Sequence, residues 1–300
     1  MTQPSDKTPD ITAIFNDIVK FREKYRVEVI VIKFGGALAE EDDTIRNIGK
    51  QAAFLAESVK ARVIVVHGGG KQIDNALLEK NIEPKKDTAT GLRITDLPTL
   101  DVSDSALRAL NGKIVRLFQE ASTDFRAVGM AGYDGQLAQA EKLNHYTGEA
   151  TEINVKYLNH LLDYDAGVIP VIYPICKNQN ADTGETRLNV NADNLAAEIA
   201  SQMKARRLVL CSDIPGVLDK DGNLLTGLTS EDIDKLIDDG TVTGGMTAKL
   251  KSAAKAVEIL PSGGVVILDG RKDNAILTEF LYEKGAGTLI RPAKKGPKGP

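Results

Sequence analysis

An α/β fold is predicted for this 300-residue sequence, with three αβα layers around an open, mainly parallel central sheet of about eight strands. Three observations predict it. Short runs rich in β-branched residues alternate with helical patterns through most of the chain. These runs are apolar at successive positions, which is how a strand covered on both faces reads. Two of them end in glycines that lead toward helices, an order typical of α/β units.

The elements follow in chain order. Residues 1–10 read as disordered. Ile11 to Tyr25 sets Ile14, Ile18 and Phe21 at helical spacing, with Val19 alongside, and forms a short amphipathic helix. Val27 to Lys33 is the first strand, 42–59 a helix, Arg62 to Val66 a second buried strand, and 71–80 the helix opened by Gly68, Gly69 and Gly70. A long helical pattern covers 101–121. Ala127 to Met130 is a short strand, and 132–140 suggests a hairpin turn. Residues 154–163 form a helix, Val168 to Tyr173 a strand, and Asp182 to Glu185 a turn. Asn191 or Asp193 starts a helix that runs to about 203. Leu208 to Cys211 is a strand, followed by a loop from Ser212 to Gly216. Helices at 230–238 and 246–259, a strand from Val265 to Asp269, a helix at 273–282 and a last short strand from Thr288 to Ile290 complete the order. The tail from Arg291 to Pro300 holds three Pro, two Gly and three Lys and reads as disordered. No fixed-period repeat and no central Pro/Gly/Ser linker is visible.

Composition narrows the function classes. A hydrophobic share of 42% is ample for a core. A net charge of −4 argues against a nucleic-acid surface, which needs a basic stripe. No apolar run approaches the roughly 20 residues that span a bilayer, and Met1 to Asp10 lacks the apolar stretch of a signal peptide. Cys176 and Cys211 each adjoin an apolar strand-like run and read as reduced core residues of a cytoplasmic protein.

The chemistry-bearing residues point to anion handling. Gly35 and Gly36 follow one strand and Gly68 to Gly70 another; glycine allows positive φ and close backbone approach, and the following helices offer unpaired N–H groups. Lys33 ends an apolar strand and either snorkels to water or points into a cleft. Lys249 lies early in a helix after a Gly pair, as a solvated lysine or a site cation. Arg93 suits a planar carboxylate. Asn189, Asn191 and Asp193 fit either a turn and helix cap or a polar site. Two cations, uncovered glycine loops and an acid to hold the cations together suggest phosphoryl transfer. Gly68-Gly69-Gly70 is not followed by the Gly-Lys-Ser/Thr of a P-loop, and no Gly-x-Gly-x-x-Gly opens a helix, so a P-loop ATPase and a Rossmann dehydrogenase lose support. His67 reads as a packed or hydrogen-bonded strand-end residue, and His145 and His160 as peripheral. No His/Cys cluster has metal-ligand spacing.

At these motifs the chain resembles the amino acid kinase family, from about residue 28 to 290. The resemblance rests on Lys33-Phe34-Gly35-Gly36, His67-Gly68-Gly69-Gly70, Gly91-Leu92-Arg93-Ile94-Thr95-Asp96, Asn189-Val190-Asn191-Ala192-Asp193, Ser212-Asp213-Ile214-Pro215-Gly216-Val217-Leu218, Gly244-Gly245-Met246-Thr247-Ala248-Lys249 and Gly285-Ala286-Gly287-Thr288. The 91–96 and 189–193 segments resemble the branch that phosphorylates the γ-carboxylate of N-acetyl-L-glutamate in arginine biosynthesis.

The resemblance implies an amino acid kinase fold with four segments: an N-terminal extension and helix (1–25), an amino-acid lobe (26–204), an ATP lobe (205–290) and a disordered tail (291–300). Lys33 and Lys249 would stabilise the transferring phosphoryl group from opposite sides, with Asp193 orienting both. Gly36, Gly69 and Gly70 would offer N–H groups to phosphate and substrate, and Arg93 and Asn189 would grip the α-carboxylate side. Asp213, Ile214, Pro215, Gly216, Val217 and Leu218 would line the nucleotide with Thr241, Val242 and Thr243. The cofactor is ATP, with Mg2+ carried on its phosphates and no protein metal site. The N-terminal helix resembles one that interlaces dimers into a hexamer, which leaves homodimer and hexamer open. Glu283 and Gly287 fall where arginine-inhibited members bind arginine, while Val266 stands where many of them have His. Lys71 and Ala37 depart from the usual residues and imply a changed acceptor pocket. The alternatives are a kinase for a related acid, such as an acylated aminoadipate, or a non-catalytic binding protein on the same fold.

Overall fold

The computed structural model describes residues 11–88, 90–121, 125–164, 167–180, 184–243, 245–260, 263–282 and 285–293. The disorder expected of 1–10 and of the end of the tail, the first half of the 182–185 turn, and Glu283 lie outside the described residues.

Eight strands form one sheet in the order Gly227–Thr229, Thr288–Arg291, Gly264–Asp269, Arg207–Ser212, Val29–Phe34, Arg62–His67, Val168–Tyr173 and Arg126–Ala131. Neighbours run parallel, except Thr288–Arg291 against Gly264–Asp269. The two-sided apolar pattern has the expected cause. Along Val29–Phe34, Val29 and Val31 enter one core cluster while Ile30, Ile32 and Phe34 enter the other. Helices Ala192–Gln202 and Gly245–Ile259 cover the first cluster; Asp42–Glu57, the second half of Leu97–Ala121 and Ala275–Leu281 cover the second. Ile30, Ile32 and Phe34 are fully buried, and each such side chain contributes about 1.5–3 kcal/mol by leaving water.

Parallel register gathers the strand ends at one edge. Phe34 lies beside His67, and Ser212 beside Asp269. Strand Val29–Phe34 pairs with Arg62–His67 on one side and with Arg207–Ser212 on the other, so the sheet runs unbroken across residue 204.

Three local features differ from the sequence expectation. The long helix starts at Leu97, because the Asp96 carboxylate accepts from Thr99 N at 2.9 Å and caps it. The hairpin is not at 132–140: strands Ala138–Asn144 and Thr147–Ile153 turn at 145–146, and Gly132 is instead packed so that an added Cβ would lie 2.8 Å from Cys176 Sγ. Those two strands close with Ile175–Asn178 and Arg187–Val190 into a small four-stranded barrel that the alternation did not reveal.

The N-terminal helix, Ile11–Tyr25, docks through Phe21 and Tyr25 against Phe280, with ring centroids 6.3 and 5.0 Å away. Ile18 and Val19 stay exposed on it. Cys176 and Cys211 are free, buried thiols, and burial pushes the Cys211 thiol up to about 12.

Candidate active site

Two glycine loops form the floor of the site by backbone contact alone. Gly68 N donates to Phe34 O at 2.9 Å, and a Cβ on Gly35 would stand 3.1 Å from Gly68 Cα and N. A side chain at 35 would therefore press on the backbone of the second loop. Gly36 adopts φ +60°, a conformation other residues take at a cost. Gly69 caps helix Gly70–Glu79 without a side-chain hydrogen bond, and helix starts of this kind leave N–H groups for an anion.

Lys33 and Lys249 line one cavity of about 230 Å³, together with Gly35, Gly36, Asp193, Ser212 and Asp213. Lys33 Nζ lies 2.7 Å from Asp193 Oδ1. Asp193 is fixed by the start of helix Ala192–Gln202: the Asn191 side chain is the cap and accepts from Asp193 N at 2.8 Å and Asn194 N at 3.2 Å. Lys249 is half-buried and its Nζ donates to Ser212 Oγ. Burial holds its ammonium below the ordinary lysine range; Asp213 and Asp193 oppose that shift and Lys33 reinforces it. The Asp213 carboxyl is held low, first by its own backbone N–H, then by Ser212, Lys249 and Arg271 against the effect of burial.

A second cavity of about 290 Å³ opens on the other side of the same floor and shares Lys33, Gly35, Gly36 and Asp193. Gly69, Gly70, Arg93 and Asn189 line it. The Arg93 side chain is 7% exposed, sits 2.5 Å from Asp74 Oδ1 and donates to Gly70 O at 3.2 Å, while its buried Nη1 has no partner among the described residues. An unpartnered buried donor is costly unless a ligand meets it. Asn189 Nδ2 donates to Thr95 Oγ1 at 3.1 Å, and Thr147 Oγ1 donates to Arg93 O at 2.7 Å. The small barrel supplies Thr147, Asn189 and Val190 to this wall.

The other expected residues fall into two groups. Asp213 joins the first cavity. Ile214, Pro215, Gly216, Val217 and Leu218 lead away from it; Val217 is fully buried, so its side chain faces the core, and Gly216 packs where a Cβ would lie 2.6 Å from Thr288 Oγ1. Thr241, Val242 and Thr243 precede helix Gly245–Ile259, with Val242 buried. Lys220 and Asp239, 3.3 Å apart, tie the two stretches together. Gly287 is a packing glycine: a Cβ there would lie 2.1 Å from Ile267 O, and its N donates to Glu279 Oε2 at 3.3 Å. Lys71 lines neither cavity and pairs with Glu40 at 2.9 Å, so the added cation that the sequence set against the acceptor pocket is directed elsewhere. Asp74, Thr95, Thr147 and Ser212 escaped the sequence reading. Thr95 and Ser212 had usable signals, their places in the Gly91–Asp96 and Ser212–Leu218 segments.

This sheet, with paired cations at its strand ends and adjoining anion-sized cavities, defines a phosphoryl-transfer fold, and the chain belongs to the amino acid kinase family, whose sequence model matches residues 28–265. It is similar to the acetylglutamate kinase of Bradyrhizobium diazoefficiens, 35% identical over 94% of this chain and 97% of that one. It is also similar to the acetylglutamate kinase of Halorhodospira halophila, 39% identical over 94% and 96%. Solved structures share the fold. N-acetylglutamate synthase from Neisseria gonorrhoeae superposes with TM-score 0.78 at 21% identity over 94% of this chain, which spans 63% of that one. Carbamate kinase from Giardia lamblia gives TM-score 0.62 at 15% identity, over 88% of this chain and 98% of that one.

Proposed function

We propose that the protein is an ATP-dependent kinase that phosphorylates the γ-carboxylate of N-acetyl-L-glutamate, giving N-acetyl-L-glutamyl 5-phosphate and ADP in arginine biosynthesis. The observation that carries this reading is the pair of cavities that meet at Lys33, Gly35, Gly36 and Asp193. One holds a buried guanidinium with a free N–H, suited to a carboxylate acceptor; the other holds a second lysine, suited to polyphosphate. The full-length similarity to acetylglutamate kinases favours this acceptor over a longer acyl-amino acid.

The chemistry needs cations more than a base. A γ-carboxylate with pKa of about 4.3 is already ionised at neutral pH. Its oxygen attacks the γ-phosphorus, the bond to the β-phosphate bridging oxygen breaks, and ADP leaves with that electron pair. The obstacle is the approach of two anions. Lys33 and Lys249 would flank the migrating group, Asp193 would hold Lys33 in place, and Gly36, Gly69 and Gly70 would supply N–H dipoles. Arg93 and Asn189 would hold the α-carboxylate side. Residues 26–204 would form the acceptor lobe and 205–290 the ATP lobe, with 213–218 and 241–243 along the nucleotide. Mg2+ would ride on the ATP phosphates. The carboxylates lining the cavity, Asp193 and Asp213, are directed to lysines or to backbone and Ser212.

The enzyme would work in the cytoplasm as a homodimer or hexamer. Exposed Ile18 and Val19 fit a helix that contacts another subunit, and arginine would act as effector near Gly287 and Glu283. Deleting 1–25 would strip Phe21 and Tyr25 from the core, so Ile18→Glu with Val19→Glu is the sounder test. Loss of hexamers on gel filtration, with the dimer active, is expected; hexamers that persist overturn the helix's role. For the reaction itself, ADP release is measured over a panel of N-acyl amino acids. N-acetyl-L-glutamate should give the highest kcat/KM. A higher value for an acylated aminoadipate overturns the acceptor, and no release with any acid overturns the enzyme.

A further inference from the structure

His67 ends strand Arg62–His67 immediately before the glycine loop and is fully buried. Its ring lies between two polar partners. Nδ1 is 3.1 Å from Gly68 O, an atom that can only accept, so Nδ1 carries the proton. Nε2 is 3.1 Å from Asn111 Nδ2, an atom that can only donate, so Nε2 carries none. Asn111 is fixed in turn, because the same Nδ2 donates to Val171 O at 2.9 Å. A Cβ on Gly129 would come 2.0 Å from Asn111 Oδ1, so glycine at 129 leaves room for this amide. Burial keeps the ring neutral, down to a pKa of about 4, against the opposing pull of Gly68 O. Tyr173 is the other titratable ring against it, at 6.2 Å, and its hydroxyl donates to Asp104 at 3.1 Å.

The consequence lies one bond further on. In a trans peptide the carbonyl and the following N–H point in opposite directions. With the Gly68 carbonyl turned toward the buried ring, the Gly69 N–H is turned the other way, and both glycines line the acceptor cavity. Glycine at 68 has wide backbone freedom, so this peptide would flip readily without an anchor.

We propose that His67 is a positioning residue: through Nδ1–H to Gly68 O, with Asn111 holding Nε2, it locks the Gly68–Gly69 peptide so that the Gly69 N–H faces the transferring phosphoryl group. The inference rests on the reading of the glycine loops as the phosphoryl cradle. It makes His67 no base and no contact of the substrate; the ring acts through one peptide plane.

Two substitutions separate this role from packing. His67→Asn puts an amide N–H near the place of Nδ1 and retains the bond to Gly68 O. His67→Gln puts an amide oxygen near the place of Nε2, retains the bond from Asn111 and loses the one to Gly68. Gln is closer to His in volume, so a packing role ranks Gln above Asn. The positioning role ranks Asn above Gln, with the loss in kcat rather than in KM. The expected kcat for Gln is about 10- to 100-fold below wild type, short of the 10²–10³ for removing such a donor outright, and Asn should lie within about fivefold of wild type. Gln equal to or above Asn overturns the proposal. If both variants fail to fold, imidazole ¹⁵N shifts of the wild-type chain at pH 7 decide: Nδ1 protonated and Nε2 bare is expected, and the opposite tautomer or an imidazolium overturns it. Absence of wild-type kinase activity would instead count against the proposed function, and the tautomer measurement needs no turnover.

Discussion

Lys33 and Lys249 line the same cavity yet are held in opposite ways. Lys33 projects from a buried strand and is neutralised by Asp193 at 2.7 Å. Lys249 projects from a helix, its Nζ donates to the Ser212 hydroxyl, and among the described residues it has no carboxylate at ion-pair distance. One cation is placed and paired; the other is half-buried, with Asp213 and Asp193 acting on it only from beyond ion-pair distance. A half-buried cation without a counter-ion is unfavourable until an anion arrives. In the proposed mechanism the difference divides the work: the strand side of the site would set geometry, whereas the helix side would supply the charge that draws phosphate in.

Substitutions test that division directly. Lys33→Ala should have the largest effect, because it removes a donor and leaves the Asp193 carboxylate facing the phosphate; kcat should fall by more than the 10²–10³ usual for one donor. Lys249→Ala should fall within that range, with the thermal melt of both proteins close to wild type. Near-normal turnover in both would end the mechanism. Asp193→Asn leaves Lys33 free to wander, and a kcat loss of about tenfold is expected. The double variant with Lys33→Ala should regain part of the single lysine loss; no recovery would mean that Asp193 does more than hold Lys33.

Proton titration sharpens the contrast further. Because the Lys249 ammonium is held below the ordinary value of about 10.4, it is cationic below its folded pKa and is lost as pH rises through it. The alkaline limb of kcat/KM, which reports the free enzyme, should therefore fall before that value, and Lys249→Arg should move it upward. An unmoved limb would place the titration elsewhere. On the acceptor side, Arg93→Lys keeps the charge beside Asp74 but loses the planar fork. KM for the acyl-amino acid should rise about tenfold, in line with roughly 1.5–3 kcal/mol for charged hydrogen bonds only partly replaced, with kcat little changed. Smallest of all, Lys71→Ala breaks an exposed pair worth no more than about 1 kcal/mol, and turnover should stay within about twofold.

The layers of this molecule were legible because each central strand is apolar on both faces. Val29 to Ile32 and Val265 to Leu268 carry that pattern for their whole length. The small barrel was not. Its strand Ala138–Asn144 buries only Ala138 and Ala140, which differ too little from surface residues to show a period; in the main sheet, the edge strand Gly227–Thr229 is only three residues long. In the site, Lys33, Asp193 and Lys249 could be picked out as chemical types in glycine-rich settings. The contact of Ser212 with Lys249 and that of Asp74 with Arg93 could not, since each pair meets across a fold that only long-range packing creates. Asn191 resolves a choice the sequence left between two residues: it caps the helix and thereby frees Asp193 for Lys33.

Because Val29–Phe34 is hydrogen-bonded to strands from both halves of the chain, no slack loop at that junction serves as a hinge. Any movement that draws the helix of Lys249 toward Lys33 has to flex a continuous ribbon of eight strands, as a leaf spring bends.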